Sequence, residues 1–310
     1  MGGSPPHEPT PMKASKNPPP PPVRSHAQQD VCCLMGDPVA ENPTHYMLEK
    51  AFTVADLDWR FLTFEVPSAD FEAALKGVRI FEFRGVMLAA PHRGEVHRFL
   101  DSATDVARLS GQVNCLQFNR GELRGHNTEG PALRALAEGK ATLKGAKAVI
   151  LGCGRTGKSL AAELALAGAA SLQLACIKPE QAEPLAAALK ADPLTAAVEL
   201  QVVPWPEPGQ TIALADDVRL LANATPVGRN DPAAALPIDL ERLPAETLVV
   251  DMVYNPPTTR LMREAKRRGL KTIDGLTLLV EQAALAFHIW TGRQPDRDAM
   301  REAVEEFLVL

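Results

Sequence analysis

Short apolar runs alternate along this chain with segments whose apolar residues recur every three or four positions, as on one face of a helix. In the first half, strands are predicted at residues 31–35, 59–66 and 86–90, and helices at 46–55 and 69–78. Two more apolar runs, 113–118 and 122–125, flank Asn119, Arg120 and Gly121 and predict a hairpin. This alternation indicates an α/β fold with mainly parallel strands.

The second half of the chain repeats the alternation. Strands are predicted near residues 148–151, 172–177, 199–203, 219–223 and 247–252, with helices between them. Pro131 suits the first turn of a helix that leaves the first group of strands. Two last helices, at about 276–290 and 297–307, have no strand after them. The chain of 310 residues has room for about two domains and a large core.

Residues 1–29 differ in composition from the rest of the chain. They contain the proline run Pro18 to Pro22, scattered Ser, Lys and His, and few large apolar side chains. Such a segment buries too little apolar surface to offset the entropy of ordering, so a disordered leader is predicted. The alternative is that the proline run binds an aromatic-lined groove as a polyproline II helix.

Deletion of residues 1–28 tests the prediction for this leader. We expect the shortened chain to keep the melting temperature and any activity of the full chain, because the segment has too little apolar surface to join the core. Differential scanning calorimetry of both chains measures the difference. A melting temperature lowered by several degrees would show that the leader packs on the folded body.

Charge and cysteine content narrow the class of protein. The formal net charge is −5 at pH 7 and the pI is about 5.9, which argues against nucleic acid or an anionic membrane as a partner. Five cysteines without C-x-x-C spacing favour a reduced, cytoplasmic compartment. The chain has no run of 18 apolar residues and no apolar signal-peptide core, so we expect a soluble, non-exported protein. The sequence predicts no metal site and identifies no protein partner.

A glycine-rich segment, Gly152 to Ser159, lies between a predicted strand and an alanine-rich helical pattern. As G-x-G-x-x-G it is a dinucleotide motif, whose glycines allow a tight turn, close approach of pyrophosphate and packing of helix on strand. As G-x-x-x-x-G-K-S it is a P-loop, in which Lys158 contacts the outer phosphates and Ser159 a magnesium ion. Both motifs place an anion at a helix N-terminus.

The flanking segments favour the dinucleotide motif. A second predicted strand, 172–177, and a helix from Pro179 follow the loop at the spacing of a mononucleotide-binding βαβ unit. A P-loop enzyme also needs a strand ending in aspartate, and the run Leu248 to Asp251 fits that pattern. A P-loop leaves the following segment, Val253 to Pro256, unexplained. A glycine turn without a ligand is a third alternative.

Eight short segments, spread over about residues 31 to 310, carry most of the remaining information. They are Gly36-Asp37-Pro38-Val39-Ala40, Ala90-Pro91-His92-Arg93, Val113-Asn114-Cys115, Asn127-Thr128-Glu129-Gly130, the glycine-rich segment, Asn223-Ala224-Thr225-Pro226-Val227-Gly228, Val253-Tyr254-Asn255-Pro256, and Asp274-Gly275-Leu276 with Gln282-Ala283-Ala284. In this order and at this spacing the set resembles the shikimate dehydrogenase family. No single segment is decisive, but the ordered set is specific.

The resemblance implies a two-domain α/β fold with the active site in the cleft between the domains. An N-terminal substrate-binding domain is expected at residues 30–131, completed by C-terminal helices at 276–310. A Rossmann-like NAD(P)-binding domain is expected at 132–275. The implied cofactor contacts are Gly152, Gly154, Arg155, Thr156, Gly157, Lys178, Thr225, Met252 and Gly275.

The choice between NADP and NAD depends on the residues after the second strand of that domain. NADP-using members of the family carry Asn-Arg-Thr there, and this chain has Cys176-Ile177-Lys178. The Asp or Glu that binds a ribose 2′-hydroxyl in NAD enzymes is missing. Lys178, together with Lys158, favours NADP, and NAD stays an alternative.

The resemblance also implies the substrate contacts. Where the family holds a carboxylate with Ser-x-Ser, this chain has Asn42-Pro43-Thr44, whose amide and hydroxyl also donate hydrogen bonds. A plain turn and helix cap is the alternative for that segment. Asn114 and Gln282 are expected to contact ring hydroxyls, and Tyr254 to line the pocket. Ala89 replaces a threonine of the family, so one hydroxyl near the substrate is missing.

The catalytic pair of the family is altered. Its lysine is Arg93 here and its aspartate is Glu129. Arginine has a pKa above ~12, so the loss of its proton at pH 7 costs about 7 kcal/mol at 1.36 kcal/mol per pKa unit. Arg93 is therefore predicted to stabilise a developing alkoxide by its charge, while water or a substrate hydroxyl supplies the proton. Glu129 is predicted to form a bidentate pair with it. His92 is predicted to orient the loop.

The leading hypothesis is a cytoplasmic, NADP-dependent oxidoreductase resembling shikimate dehydrogenase. It interconverts 3-dehydroshikimate and shikimate, or acts on a related cyclic hydroxy acid such as quinate, in chorismate and aromatic amino acid biosynthesis. The first alternative is a nucleotide-binding paralogue with a regulatory or binding role, in which Arg93 and Glu129 only close a cleft. The second alternative is a P-loop NTPase.

Overall fold

The computed structural model describes residues 29–119 and 121–309. The predicted disordered leader lies outside the described residues, as does Arg120 in the predicted hairpin turn. In the part of the chain that is described, the strands form two six-stranded sheets. None of the described helices is long and apolar enough to cross a membrane.

The first sheet contains the strands of the N-terminal part. They are β1 (Asp30–Gly36), β2 (Trp59–Glu65), β3 (Gly85–Leu88), β4 (Ser102–Ala103), β5 (Cys115–Asn119) and β6 (Glu122–His126). Their order in the sheet is β2-β1-β3-β5-β6-β4. β1 pairs in parallel with β2 and β3, whereas β5 pairs antiparallel with β3 and with β6. The predicted strands and the predicted hairpin are therefore present, in a mixed sheet.

Four helices accompany the first sheet. They are α1 (Thr44–Val54), α2 (Phe71–Ile80), α3 (His92–Glu95) and α4 (Asp105–Ser110). The first two were predicted within two residues of these bounds. The sequence did not predict α3 and α4, because helices of four and six residues are too short to show a helical period.

The central strand β1 is buried on both faces of the first sheet. Cys32 and Leu34 pack in the core that contains α1, and Cys33 and Met35 pack on the other face with Phe71 of α2. Successive side chains of a strand point to opposite faces, so a strand covered on both sides is apolar at every position. This explains why the strand is a continuous apolar run in the sequence.

The second sheet is entirely parallel. Its strands are β7 (Lys147–Leu151), β8 (Ser171–Cys176), β9 (Glu199–Pro204), β10 (Val218–Asn223), β11 (Leu248–Asp251) and β12 (Lys271–Ile273). They lie in the order β12-β11-β10-β7-β8-β9. Numbered within this sheet, the order is 3-2-1-4-5-6 from the β9 edge, which is that of a Rossmann fold. The strand order therefore agrees with the predicted dinucleotide-binding fold.

Four helices connect or precede these strands. They are α5 (Glu129–Ala137), α6 (Arg155–Leu166), α7 (Glu183–Ala191) and α8 (Arg260–Arg267). Pro131 lies in the first turn of α5, as predicted. The helix predicted from Pro179 begins as a 3-10 turn, Pro179–Ala182, and continues as α7.

The last two helices are α9 (Gly275–Thr291) and α10 (Arg297–Val309). α9 returns to the first sheet, where Trp290 Nε1 donates to the backbone oxygen of Leu116 at 2.9 Å. A Cβ atom on Gly85 would lie 2.0 Å from Nε1 of Trp290, so only glycine fits beneath this indole. The domain boundaries at residues 131 and 275 fall inside α5 and at the start of α9, and these boundaries stay predictions.

Candidate active site

The glycine-rich segment lies at the point where the order of the second sheet reverses. β7 has β8 on one side and β10 on the other, so the loops after β7 and β10 diverge and open a crevice between them. Gly152 has φ +99°, and a Cβ atom on it would lie 3.0 Å from Cγ2 of Thr225 in the loop after β10. The crevice at such a point is where open α/β sheets bind their ligands.

Gly154 and Gly157 have different roles in this loop. Gly154 is exposed at the start of α6, and a Cβ atom on it would meet no atom within 4 Å. That open space lies at a helix N-terminus, where backbone N–H groups favour an anion. A Cβ atom on Gly157 would lie 2.0 Å from the backbone oxygen of Gly152, so this glycine packs the helix against the loop. The residues present therefore fit the pyrophosphate of a dinucleotide.

The predicted magnesium ligands of a P-loop are engaged elsewhere. Ser159 is fully buried, donates to the backbone oxygen of Arg155 at 3.0 Å and accepts from Asn127 Nδ2 at 2.7 Å. Asp251 is also fully buried, with its carboxylate accepting hydrogen bonds from Thr259 Oγ1 and from backbone and amide donors. Burial raises the pKa of Asp251. These contacts argue against the P-loop alternative.

The other predicted cofactor residues lie along the same sheet edge. Arg155 and Lys178 are exposed after β7 and β8, and the backbone N–H of Met252, after β11, donates to the oxygen of Asn223 at 3.0 Å. Gly275 begins α9, and a Cβ atom on it would lie 2.3 Å from the backbone oxygen of Val253. The structure thus gives Gly275 a packing role, while its contact with cofactor stays a prediction.

Replacement of Lys178 by glutamate tests which side chain faces the 2′-phosphate. We expect Lys178→Glu to weaken NADPH binding by about 10-fold more than NADH binding, because the carboxylate repels the phosphate. Fluorescence titration with each cofactor measures the two dissociation constants. Lys190→Glu, in α7, is a control of equal charge change. Equal losses for NADPH and NADH would mean that Lys178 does not face the adenosine ribose.

Arg93 and Glu129 form a largely buried ion pair. Arg93 Nη1 donates to Glu129 Oε1 at 2.6 Å, and Arg93 Nε donates to the backbone oxygen of Leu88 at 2.9 Å. The side chains of Arg93 and Glu129 are 19% and 5% exposed. Two charge-assisted bonds on different nitrogens hold the guanidinium in one orientation. Glu129 is the first residue of α5, where the helix dipole favours a carboxylate.

The predicted bidentate pairing is wrong, because only Nη1 of Arg93 donates to Glu129, and it donates to Oε1 alone. Glu129 Oε1 also accepts from Thr156 Oγ1 at 3.3 Å, which links the ion pair to the glycine-rich segment. Glu129 Oε2 is buried without a hydrogen-bond partner among the described residues. A buried, unpaired carboxylate oxygen is unfavourable, so Glu129 depends strongly on its bonds through Oε1.

A hydrogen-bonded loop positions Glu129. Asn127 Oδ1 accepts the backbone N–H groups of Glu129 at 3.0 Å and Gly130 at 3.2 Å, as a cap of α5. Asn114 Nδ2 donates to Thr128 Oγ1 at 2.9 Å, and Asn114 Oδ1 accepts the Thr128 N–H at 2.8 Å. Asn114 therefore holds this loop and does not line the substrate cavity, so its predicted contact with ring hydroxyls stays a prediction.

A cavity brings four predicted site residues together beside this ion pair. Asn42, Thr44, Arg93 and Gln282 meet there. The empty volume is about 330 Å³, part of it open to solvent. Apolar side chains complete the lining: Leu34, Met87, Leu88, Leu279 and Ala283. A larger groove elsewhere contains none of the predicted catalytic or substrate residues, so the smaller cavity is the candidate substrate site.

Comparisons with known proteins agree with this geometry. Residues 34–116 match the model of the shikimate dehydrogenase substrate binding domain, and residues 275–305 match that of the shikimate 5′-dehydrogenase C-terminal domain. The chain is 33% identical over 288 residues to the "Shikimate dehydrogenase (NADP(+))" of Desulforamulus reducens, covering 91% of this chain and 97% of the relative.

The chain belongs to the shikimate dehydrogenase family. Two solved structures resemble it over 90% of its length and 99% of theirs. One is the 5-ketofructose reductase of Gluconobacter sp. strain CHM43, with a TM-score of 0.84 and 34% identity. The other is the shikimate 5-dehydrogenase of Thermus thermophilus in complex with NADP(H) and shikimate, with a TM-score of 0.75 and 35% identity. The predicted family, two-domain fold and oxidoreductase class are confirmed.

The segment Asn42-Pro43-Thr44, before α1, both turns the chain and lines the cavity. Asn42 Oδ1 accepts the Thr44 N–H at 3.0 Å, and both side chains also line the cavity. The segment is thus a turn and part of the cavity wall, so the two alternatives drawn from the sequence are compatible. Ala89 packs against the adjoining core and supplies no hydroxyl.

Tyr254 lies near the cavity without lining it. It follows β11, is half-buried and packs against the core that α9 forms with the first sheet. Burial raises the pKa of its phenol.

An exposed ion pair lies beside Tyr254. Arg229 Nη2 and Glu41 Oε2 are 3.4 Å apart and join the loops of the two domains. A surface pair of this kind contributes little, because solvent screens it.

His92 has no access to the site. Its Nε2 lies 2.7 Å from the backbone oxygen of Val66, and its ring stacks on Phe71 at 4.0 Å between centroids. The side chain is fully buried, and its role in orienting the loop stays a prediction. The roles of Asn127 and Thr128 were not predicted, although asparagine just before a helix that contains Pro131 in its first turn is a capping signal.

Proposed function

We propose that this protein is an NADP(H)-dependent oxidoreductase that interconverts 3-dehydroshikimate and shikimate, or a related cyclic hydroxy acid such as quinate. The observation that carries the proposal is the meeting of Arg93, Asn42, Thr44 and Gln282 in one cavity, with Glu129 joining that cavity to the glycine-rich segment through Thr156. A chorismate-forming pathway in the cytoplasm is its proposed setting, supported by five cysteines that are all free.

One proposed domain binds the substrate and the other binds the cofactor. Residues 30–131 and 276–310 hold the substrate, and residues 132–275 hold NADP through the loops after β7, β8, β10 and β11. Gly154 gives the pyrophosphate space, and Arg155 and Lys178 give positive charge near the adenosine end. NADPH supplies a hydride when it is bound.

Arg93 acts on the carbonyl oxygen by charge. Its guanidinium lines the cavity and is fixed by Leu88 and Glu129, so its charge is already oriented when an alkoxide develops. Since arginine keeps its proton at neutral pH, the proton for the alkoxide comes from water or a substrate hydroxyl. Glu129 positions Arg93 through the bond that its Oε1 accepts from Nη1.

Absorbance at 340 nm with shikimate and quinate, each against NADP+ and NAD+, tests the proposal. We expect turnover with shikimate and a lower KM for NADP+ than for NAD+. Fluorescence titration with NADPH is run in parallel, so that cofactor binding is measured without turnover. Magnesium-dependent ATP hydrolysis without NADPH binding would instead favour the P-loop alternative.

The double substitution Arg93→Lys with Glu129→Asp separates an enzyme from a binding paralogue. We expect it to raise kcat for the reduction of 3-dehydroshikimate by NADPH, because lysine can donate a proton to the alkoxide and aspartate restores the length of the family's pair. The gain is expected to be lost as pH rises through the lysine pKa, since the donor must be protonated. If wild type and double variant both bind NADPH and are equally inert, the protein is a binding paralogue.

A further inference from the structure

The candidate substrate cavity has neutral donors apart from one arginine, which is already paired. Arg93 is the one cationic side chain that the described residues place in its lining, and Glu129 Oε1 accepts from it at 2.6 Å. Glu129 Oε2 is buried beside it without a partner. A substrate carboxylate is therefore held by neutral hydrogen-bond donors, those of Asn42 and Thr44, and the lining does not require a charged ligand.

The polar groups of the cavity suit uncharged hydroxyls. Asn42 uses Oδ1 for the Thr44 N–H, so its Nδ2 hydrogens remain as donors toward the cavity side. Thr44 has a hydroxyl that both donates and accepts, and Gln282 has an amide that does the same. Such groups pair with the hydroxyls of a polyol without any charge.

The residues at the end of β3 lack a hydroxyl that would restrict which substrates bind. Met87 and Leu88 line the cavity, and Ala89 stands where the family has a threonine. A fixed protein hydroxyl selects ligands that carry a matching hydrogen-bonding group. A site without that hydroxyl therefore discriminates less between ligands with and without the group. The described lining should therefore bind hydroxylated ligands that differ in shape from shikimate more readily than a site that has the threonine.

One structural neighbour is named for a polyhydroxylated ketone. It is the 5-ketofructose reductase of Gluconobacter sp. strain CHM43, which is 34% identical to this chain.

We infer that the site has a second activity, the NADPH-dependent reduction of an uncharged polyhydroxylated ketone. The inference rests on the proposed function, because it uses the same cavity and cofactor. The carbonyl carbon gains a hydride from NADPH, which leaves as NADP+, and the carbonyl oxygen gains a proton from water. Arg93 stabilises the alkoxide in this reaction as it does with a cyclic hydroxy acid.

Side-by-side kinetics with 5-ketofructose and 3-dehydroshikimate test the inference on the full chain. We expect kcat/KM for 5-ketofructose to be at least one-tenth of that for 3-dehydroshikimate. Isothermal titration calorimetry with fructose in the presence of NADP+ should show binding independently of turnover. A lower ratio, or no fructose binding, overturns the inference and leaves the proposed function standing. If neither ketone is reduced although NADPH binds, both proposals fail.

A matched pair of variants tests the role of the segment before α1. Asn42→Ser combined with Thr44→Ser restores the family's Ser-x-Ser, and we expect it to lower the kcat/KM ratio of 5-ketofructose to 3-dehydroshikimate at least 10-fold. Thr53→Ser, on the exposed side of α1, is the control and should leave the ratio unchanged. An unchanged ratio in the double variant would show that Asn42 and Thr44 do not select the substrate, and would overturn this part of the inference.

Discussion

Replacement of Arg93 by alanine should lower kcat by about 100- to 1000-fold, the size found when one donor to a developing oxyanion is removed. Arg93 Nη1 and Nε are fixed by Glu129 and Leu88, so the charge needs no reorganisation as the alkoxide forms. Because an alkoxide exists only late in the reaction, KM should change much less than kcat. Steady-state kinetics with the ketone substrate and NADPH separate the two effects.

The control must distinguish lost catalysis from a damaged fold. Arg93→Ala leaves Glu129 buried without its partner, which costs about 3–5 kcal/mol of stability in comparable pairs. Arg93→Ala with Glu129→Gln removes both charges and should restore the melting temperature while kcat stays low. Arg79→Ala, which loses only the exposed pair with Asp101, should leave both unchanged. If kcat survives in a folded Arg93→Ala variant, other residues carry the chemistry.

The sequence predicted the fold well where the apolar pattern is long. β1 and β7 are buried on both faces, and the continuous apolar runs that result are visible without any structure. β12 was missed, since its three residues begin with exposed Lys271 and alternate too briefly to show a period. Its place in the sheet is set by pairing with β11, a contact between distant segments that local pattern does not encode.

The sequence predicted which residues belong to the candidate site, but not the hydrogen bonds that connect them. The motifs predicted that Arg93 pairs with Glu129, whereas the bond from Arg93 Nε to the backbone oxygen of Leu88 has no signature in the sequence. Asn114 was predicted to contact ring hydroxyls, and the sequence did not indicate the two bonds that its amide forms with Thr128. Side-chain partners across a cleft depend on backbone positions that only the folded chain defines.

A substitution in the glycine-rich segment should have the second large effect, on the affinity for NADPH. Gly154→Val should raise the dissociation constant for NADPH at least about 100-fold, or about 2.7 kcal/mol, because a branched side chain would occupy the space of the pyrophosphate. The fold should tolerate this change. Gly154 has φ −70° and ψ −167°, an extended conformation open to any residue, and its Cβ atom would meet nothing within 4 Å. Fluorescence titration and calorimetry measure affinity and melting temperature.

A substitution of the neighbouring Gly157 is the control that separates lost cofactor space from a disturbed loop. Gly157→Ala places a Cβ atom 2.0 Å from the backbone oxygen of Gly152, so that variant should lose NADPH binding together with stability. Gly154→Val should lose binding alone, because its new side chain points into open space at the start of α6. Unchanged NADPH affinity in a folded Gly154→Val chain would refute the dinucleotide site at this loop. A matching drop in melting temperature would show that the loop, and not the cofactor space, had been disturbed.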